Sequence, residues 1–282
     1  MIDETIAEIR EMQTHSSSVV AVKATQALSD LLERDHATVE EFERDLERNA
    51  SALKRANPSH ASLFNAMQTV LVNVVDRKDT VEEAKSLLEE VIDRVVEDVQ
   101  QGKSRAARNA APTFDDGETF LMHDFSSTVL EAVEQAATDG KYLTAYVTEA
   151  RPRFLGRKTA RRLAGIDRIE PHLMVDGAAG TFLKECDRVV VGMDCIVEDT
   201  LYNRVGTFPI VATANHLDVP VTVVGSAAKI VDDGFVFENE FRSPAEVSLE
   251  PIENIEIENP AYDATPVELI DEVITDNGVE NL

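Results

Sequence analysis

Through residue 110 apolar side chains return at intervals of three and four, the spacing of helices that bury one face. Ile2, Ile6, Ile9 and Met12 open the series, and Val19 and Val20 through Leu28, Leu31 and Leu32 continue it. A third pattern runs from Thr38 through Phe42 and Leu46 to Leu53. The longest covers Val81 to Val99, with Leu87, Leu88, Val91, Val95 and Val99 on one side and acids on the other. Pro58, in RANPSHASLFN, breaks the series and marks a turn before another helix. Beyond Pro112 and Gly117 the pattern changes. Short apolar runs, TFLM (119–122), YLTAYV (142–147), HLMV (172–175), RVVVGM (188–193) and VPVTVVG (219–225), alternate with helical stretches at 127–138, 156–164, 178–184 and 206–217. Strands apolar on both faces and joined by helices belong to a parallel sheet covered on both sides. The expected fold is α/β: a helical N-terminal domain, residues 1–110, then a Rossmann-like parallel-sheet domain, residues 111–282, holding the ligand pocket and the oligomer interface. NPAYDATP (259–266) is followed by Val267–Ile270 at helical spacing, which a C-terminal helix would explain.

Charge changes the picture next. The chain of 282 residues carries 53 acids against 27 bases, for a net −26 at pH 7. Nine of the bases are Lys and eighteen Arg. An acidic excess with few Lys suits a surface adapted to molar salt, where repulsion is screened within about 3 Å, and a halophilic archaeal source is expected. The same charge argues against direct nucleic-acid binding, which needs a basic footprint. No run approaches the length of a membrane span and the N-terminus is charged from its third residue, so no membrane association and a cytoplasmic location are expected. Cys186 and Cys195 fall in what reads as one strand and its exit, and two cysteines make neither a disulfide framework nor a four-ligand zinc site. No GxGxxG follows the first strand and no GxxxxGK[ST] occurs, so no cofactor and no metal are expected.

In open α/β sheets, ligands meet the C-terminal ends of the strands. Those ends supply His123-Asp124-Phe125-Ser126, then Thr148-Glu149-Ala150-Arg151-Pro152-Arg153, then Asp176-Gly177. The fourth gives Gly192-Met193-Asp194-Cys195 with Asn203-Arg204 close behind, and the fifth gives Gly225-Ser226-Ala227-Ala228-Lys229. Arg and Lys for phosphate with Asn and Asp for hydroxyls could hold a phosphorylated polyol. The turn after the first strand equally suits a plain helix start, capped by Asp124, Ser126 or Ser127.

Four motifs then resemble a known family: YVTEARPRFLGRKTARRLA (146–164), VVVGMDCIVEDTLYNRVGT (189–207), VTVVGSAAKIV (221–231) and NPAYDATPVELIDEVITDNGV (259–279). They look like the alpha, beta and delta regulatory subunits of translation initiation factor 2B. They look equally like that superfamily's ribose-1,5-bisphosphate and methylthioribose-1-phosphate isomerases. The resemblance implies dimers or hexamers and a C-terminal end that packs toward a partner subunit. The isomerases carry a catalytic Cys where this chain has Asp124, and a second catalytic Asp that matches Asp194. Their Arg-Gly-Ala-Gly loop is replaced by His15-Ser16-Ser17-Ser18, and an Arg-Pro-Thr motif survives as Arg55-Ala56-Asn57-Pro58. Their Asn-Lys pair reads Asn203-Arg204, and a strand-end Lys matches Lys229.

Two carboxylates in a pocket meant for phosphates raise each other's pKa, and the altered residues suggest a worn catalytic pair. The first expectation is therefore a non-catalytic regulatory subunit that binds a phosphorylated sugar or nucleotide and, by the resemblance, the alpha subunit of initiation factor 2. The alternative is an aldose–ketose isomerase converting ribose 1,5-bisphosphate to a ribulose product, with Asp194 and Asp124 as the catalytic pair. Ligand contacts are expected from Ser16, Ser18, Arg55, Glu149, Arg151, Asn203, Arg204 and Lys229 in either case.

Overall fold

The computed structural model describes residues 2–10, 17–58, 60–231, 234–250 and 252–280. Met12, His15 and Ser16 lie outside the described residues. The chain divides into two compact units, Met1–Gly102 with Ala228–Glu238, and Lys103–Ala227 with Asn239–Leu282. The sequence reading draws a single line at residue 110. The division between the two units falls within a long helix, and residues 228–238 return to the first unit.

The first unit holds α1 (Ile2–Arg10), α2 (Ser17–Ala27), α3 (Val39–Ala56), α4 (Ala61–Val74) and the larger part of α5 (Val81–Ala110). Thr38 starts α3 by accepting a hydrogen bond from the Glu41 amide (3.3 Å), and Lys54 and Arg55 end it where the helix dipole favours cations. Its buried residues Phe42, Leu46, Ala50 and Leu53 keep the helical spacing, and they pack with Leu28, Leu31, Leu63, Met67 and Leu88 into one core. From α4, Asn65 donates to the carbonyls of Ala228 and Ile230 (2.9 and 2.8 Å), which ties the returning segment to this unit.

The second unit is built on a seven-stranded sheet. Its strands are β1 (Thr119–Met122), β2 (Leu143–Thr148), β3 (Ile169–Met174), β4 (Arg188–Val191), β7 (Val221–Val224), β10 (Glu272–Thr275) and β11 (Gly278–Glu280). The order is β11-β10-β7-β4-β1-β2-β3, parallel except for β11. Strands β4 and β7 are buried at every position, as the unbroken RVVV and VTVV runs require of strands covered on both faces. The connections are α6 (Ser127–Thr138), α7 (Leu155–Leu163), α8 (Ala179–Phe182) and α9 (Thr207–His216). Phe114, Phe120, Val129, Val147, Leu163, Val190 and Ile274 share the core.

Chain direction across the sheet reverses between β1 and β4, because β2 and β3 are laid down on one side of β1 and β4, β7 and β10 on the other. Outside such a switch point the connecting loops part and leave a crevice. Three short strands follow the same rim: β5 (Cys195–Val197), β6 (Thr200–Arg204) and β9 (Tyr262–Pro266), with β6 antiparallel to both others. A further two-residue strand, β8 (Ile230–Val231), belongs to the first unit.

The C-terminal helix that the spacing at 267–270 would also allow is not formed. Val267–Leu269 make one 3-10 turn between β9 and β10, because the surrounding residues pair as strands on both sides. Cys186 precedes β4 and Cys195 opens β5; both are buried and carry no disulfide. Among the described residues no helix is long and apolar enough to cross a membrane.

Candidate active site

Strand β1 delivers His123 and Asp124 to the switch point. His123 is buried between two partners, with Nδ1 2.6 Å from Thr148 Oγ1 and Nε2 2.9 Å from the Val205 carbonyl. A carbonyl only accepts, so Nε2 carries the proton in this arrangement. The ring leaves no room at Gly206: a Cβ there would lie 2.6 Å from His123 Cε1, on a backbone with φ +106°. Asp124 takes φ +60°, a left-handed conformation uncommon outside glycine. The buried Thr159 hydroxyl holds it there, donating to the Asp124 carbonyl (2.7 Å). Ser126 caps α6 by accepting from the Val129 amide, so Asp124 is spared that task.

Strand β4 delivers Asp194, and the β5–β6 hairpin brings the chain back so that Arg204 returns to the same place. Its Nε lies 3.7 Å from Asp124 Oδ2 and 3.6 Å from Asp194 Oδ2, one guanidinium spanning two carboxylates. The register of β6 with β9 sets Arg204 opposite Tyr262, whose ring lies 4.8 Å beneath the guanidinium. Asp263 fixes the following turn by accepting from the amides of Gly206 and Phe208 (2.7 and 3.0 Å) at the start of α9.

Burial sets the electrostatics. Asp124 is 6% exposed, and its carboxyl is held above the usual carboxylate range, first by desolvation. His123, Arg204 and Arg153 oppose the rise, while Asp194 adds to it. Burial works against the Arg204 charge, but Asp194, Tyr262 and Asp124 outweigh it and keep the guanidinium above its ordinary value. The Tyr262 hydroxyl is pushed up to about 12 by burial and then by Asp194, so it stays neutral. The Cys186 thiol is likewise pushed up to about 12 by burial and is not an available nucleophile.

A cleft opens here, lined by Asp124, Arg151, Arg153, Arg204, Arg242 and Asn259 among others. Four arginines on one cleft stand out in a chain with net charge −26. Two loop residues beside it, Ala150 and Phe154, are also left-handed, both at φ 58°. Asp176 holds that loop by accepting from the Ala150 and Arg151 amides, each at 2.7 Å. Such backbone outliers persist where the surrounding structure over-determines them, often at binding sites.

The structure thus brings together Asp124, Asp194, Arg151 and Arg204. Glu149 is engaged by Arg157, whose Nη2 lies 2.6 Å away, and Asn203 donates to Thr207 Oγ1 (3.1 Å) within its own turn. Ser18, Arg55 and Lys229 belong to the first unit. Sequence reasoning passed over Arg242, Asn259 and Tyr262. One signal was available for the first: Arg242 is the lone base between residues 230 and 282.

The chain is 30% identical to a ribose 1,5-bisphosphate isomerase of Haloferax volcanii, over 98% of this chain and 88% of that one. It is 32% identical to a protein of the same name from Methanocaldococcus jannaschii, over 99% and 91%. Six archaeal relatives at 29–32% identity over 97–99% of this chain bear that name. The expectation of a non-catalytic regulatory subunit is thereby overturned in favour of the isomerase alternative. Two of the altered positions, Asp124 and Arg204, form with Asp194 a carboxylate pair bridged by an arginine. The fold matches the crystal structure of a Pyrococcus horikoshii translation initiation factor eIF-2B with a TM-score of 0.76 at 24% identity, covering 99% of this chain and 96% of that one. Residues 13–281 match the model of the Initiation factor 2 subunit family, and the chain belongs to that family.

Proposed function

We propose that the protein is an aldose–ketose isomerase that opens ribose 1,5-bisphosphate to ribulose 1,5-bisphosphate, with Asp124 and Asp194 as its acid and base. The observation that carries this reading is Arg204 spanning both carboxylates at the switch point of the sheet. The names of the archaeal relatives supply the substrate.

The chemistry requires one proton donor and one acceptor. Protonation of the ring oxygen lets the C1–O bond break, and removal of the C2 proton leaves an enol between C1 and C2. Return of a proton to C1, as the C2 hydroxyl loses its own, yields the ketose with no net change in protons. Asp124, whose buried carboxyl favours the protonated form, is the donor to the ring oxygen. Asp194, at the open side of the pair, takes the C2 proton. Arg204 stabilises the oxygen on which charge develops and holds the two carboxyls on one site. The remaining arginines of the cleft suit phosphate, which a guanidinium binds through two parallel hydrogen bonds.

The proposal includes assembly of copies into a dimer or hexamer, supported by large apolar side chains left in solvent, among them Leu249 at 90% exposure. Light scattering in native salt reads the stoichiometry. The decisive experiment is turnover of ribose 1,5-bisphosphate by purified protein beside Asp194→Asn and Asp124→Ala. Both variants are expected to lose at least about a hundredfold in kcat, the scale of a positioned acid or base, with the fold intact. Full activity in Asp194→Asn would remove the base from this scheme.

A further inference from the structure

The arginines of the cleft are held in two different ways. Arg204 faces the reacting carboxylates. Arg242 enters from the irregular segment after residue 239, where carboxylates outside the cleft lining grip it. Its Nε donates to both Glu246 oxygens (3.1 and 3.0 Å), its Nη2 to Glu246 Oε1 (2.9 Å) and its Nη1 to Glu240 Oε1 (3.0 Å). Asn259 completes the clamp by donating to Glu246 Oε2 (3.2 Å) and to the Ser243 carbonyl (3.0 Å).

A guanidinium carries five N–H groups in a rigid fork. These contacts leave one on each Nη, so Glu246 and Glu240 fix the plane of the fork while Arg242 keeps donors in the cleft that it lines. The Glu246 hydrogen bonds also hold the guanidinium above its ordinary pKa. Arg153 lines the same cleft. A second, separately anchored cation on the cleft suits a remote phosphate on the same sugar.

We propose that Arg242 is a specificity-determining residue that receives the C5 phosphate, so that the site selects bisphosphorylated over monophosphorylated pentoses. This rests on the isomerase reading above. A pre-oriented fork that loses its anion partner leaves a polar group unsatisfied, and discrimination follows from that loss.

The test compares wild type, Arg242→Ala and Arg242→Lys by calorimetric binding of ribose 1,5-bisphosphate and of ribose 1-phosphate, which lacks the C5 phosphate, with turnover measured alongside. Arg242→Ala is expected to weaken bisphosphate binding about 10- to 100-fold, the range for hydrogen bonds to a charged group, and to leave ribose 1-phosphate unaffected. Arg242→Lys, which keeps the charge and a contact to Glu246, should fall between and guards against loss of the fold. Equal weakening of both ligands, or of neither, would overturn the proposal. Selective weakening in a wild-type background without turnover would uphold Arg242 and remove the isomerase reading instead. Wild-type protein that bound neither ligand would overturn both.

Discussion

Asp124 carries two opposed demands. The chemistry needs a carboxyl that donates a proton, and burial raises the Asp124 pKa by penalising the charged form. The fold bears the consequence. A carboxyl whose folded pKa is raised gives stability that is fully present below its unfolded value and lost as pH climbs through the raised one. Asp124→Asn removes that titration. The variant is therefore expected to melt above wild type at neutral pH while losing turnover, each kcal/mol gained appearing as roughly 2–4 °C in a chain of this size. Scanning calorimetry over a pH series checks it; an Asn variant that melted lower at neutral pH would show the Asp124 charge to be a net stabiliser. Arg204 acts in the opposite sense, pulling the Asp124 pKa down. Arg204→Met should therefore move the alkaline limb of the kcat/KM profile to higher pH as well as lower its plateau. Asp124 and Asp194 stood out as candidates in the sequence because each follows an apolar run that reads as a buried strand, and Arg204 because of its place in the LYNRVGT motif. Tyr262 did not, since its place under Arg204 comes from a cross-strand register that no local pattern records.

At the scale of elements, the site depends on short strands more than on the main sheet. The five apolar runs of the sheet and the helices between them were readable from their pattern, most plainly β4 and β7, which are buried at every position, whereas β3 at the sheet edge is half-exposed. The β5–β6 hairpin, β9 and β11 escaped, being three to five residues long with polar positions that resemble loop. The helical spacing at 267–270 misled for the same reason: four residues cannot separate a helix from strands pulled into register by their neighbours. Yet these elements aim Arg204. The turn after β6 is the point where this is most exposed to damage. Gly206→Ala would place a side chain at φ +106° and 2.6 Å from the His123 ring. It is expected to destabilise the fold by about 1–3 kcal/mol and to lower kcat by displacing His123 and the strand end beside Arg204. Urea unfolding and steady-state kinetics on the same preparation measure the two effects. Asp263→Ala, which strips the start of α9 of its acceptor, should cost about 0.5–2 kcal/mol with a smaller effect on turnover.

Over the whole molecule the charge is one-sided and the cleft is its exception. A net −26 repels itself across the surface, and salt relieves that repulsion by shortening its reach from about 10 Å at 0.1 M to about 3 Å at 1 M. Stability is accordingly expected to rise with potassium chloride into the molar range. The same screening weakens attraction between the arginines of the cleft and a bisphosphate, so KM should rise over the same series. The two trends have one cause and opposite sign, which separates screening from a general effect of salt on folding. If loss of structure governed activity at low salt, kcat would recover as the melting temperature climbed while KM stayed level. If the cleft works as an anion site in an acidic surface, the KM of ribose 1,5-bisphosphate should climb more steeply with salt than that of ribose 1-phosphate, because it carries the additional phosphate charge. Arg242→Ala should flatten the difference between them. Melting curves and initial rates along one potassium chloride series decide it, and parallel salt slopes for the two substrates in the wild-type enzyme would count against an arginine dedicated to the second phosphate.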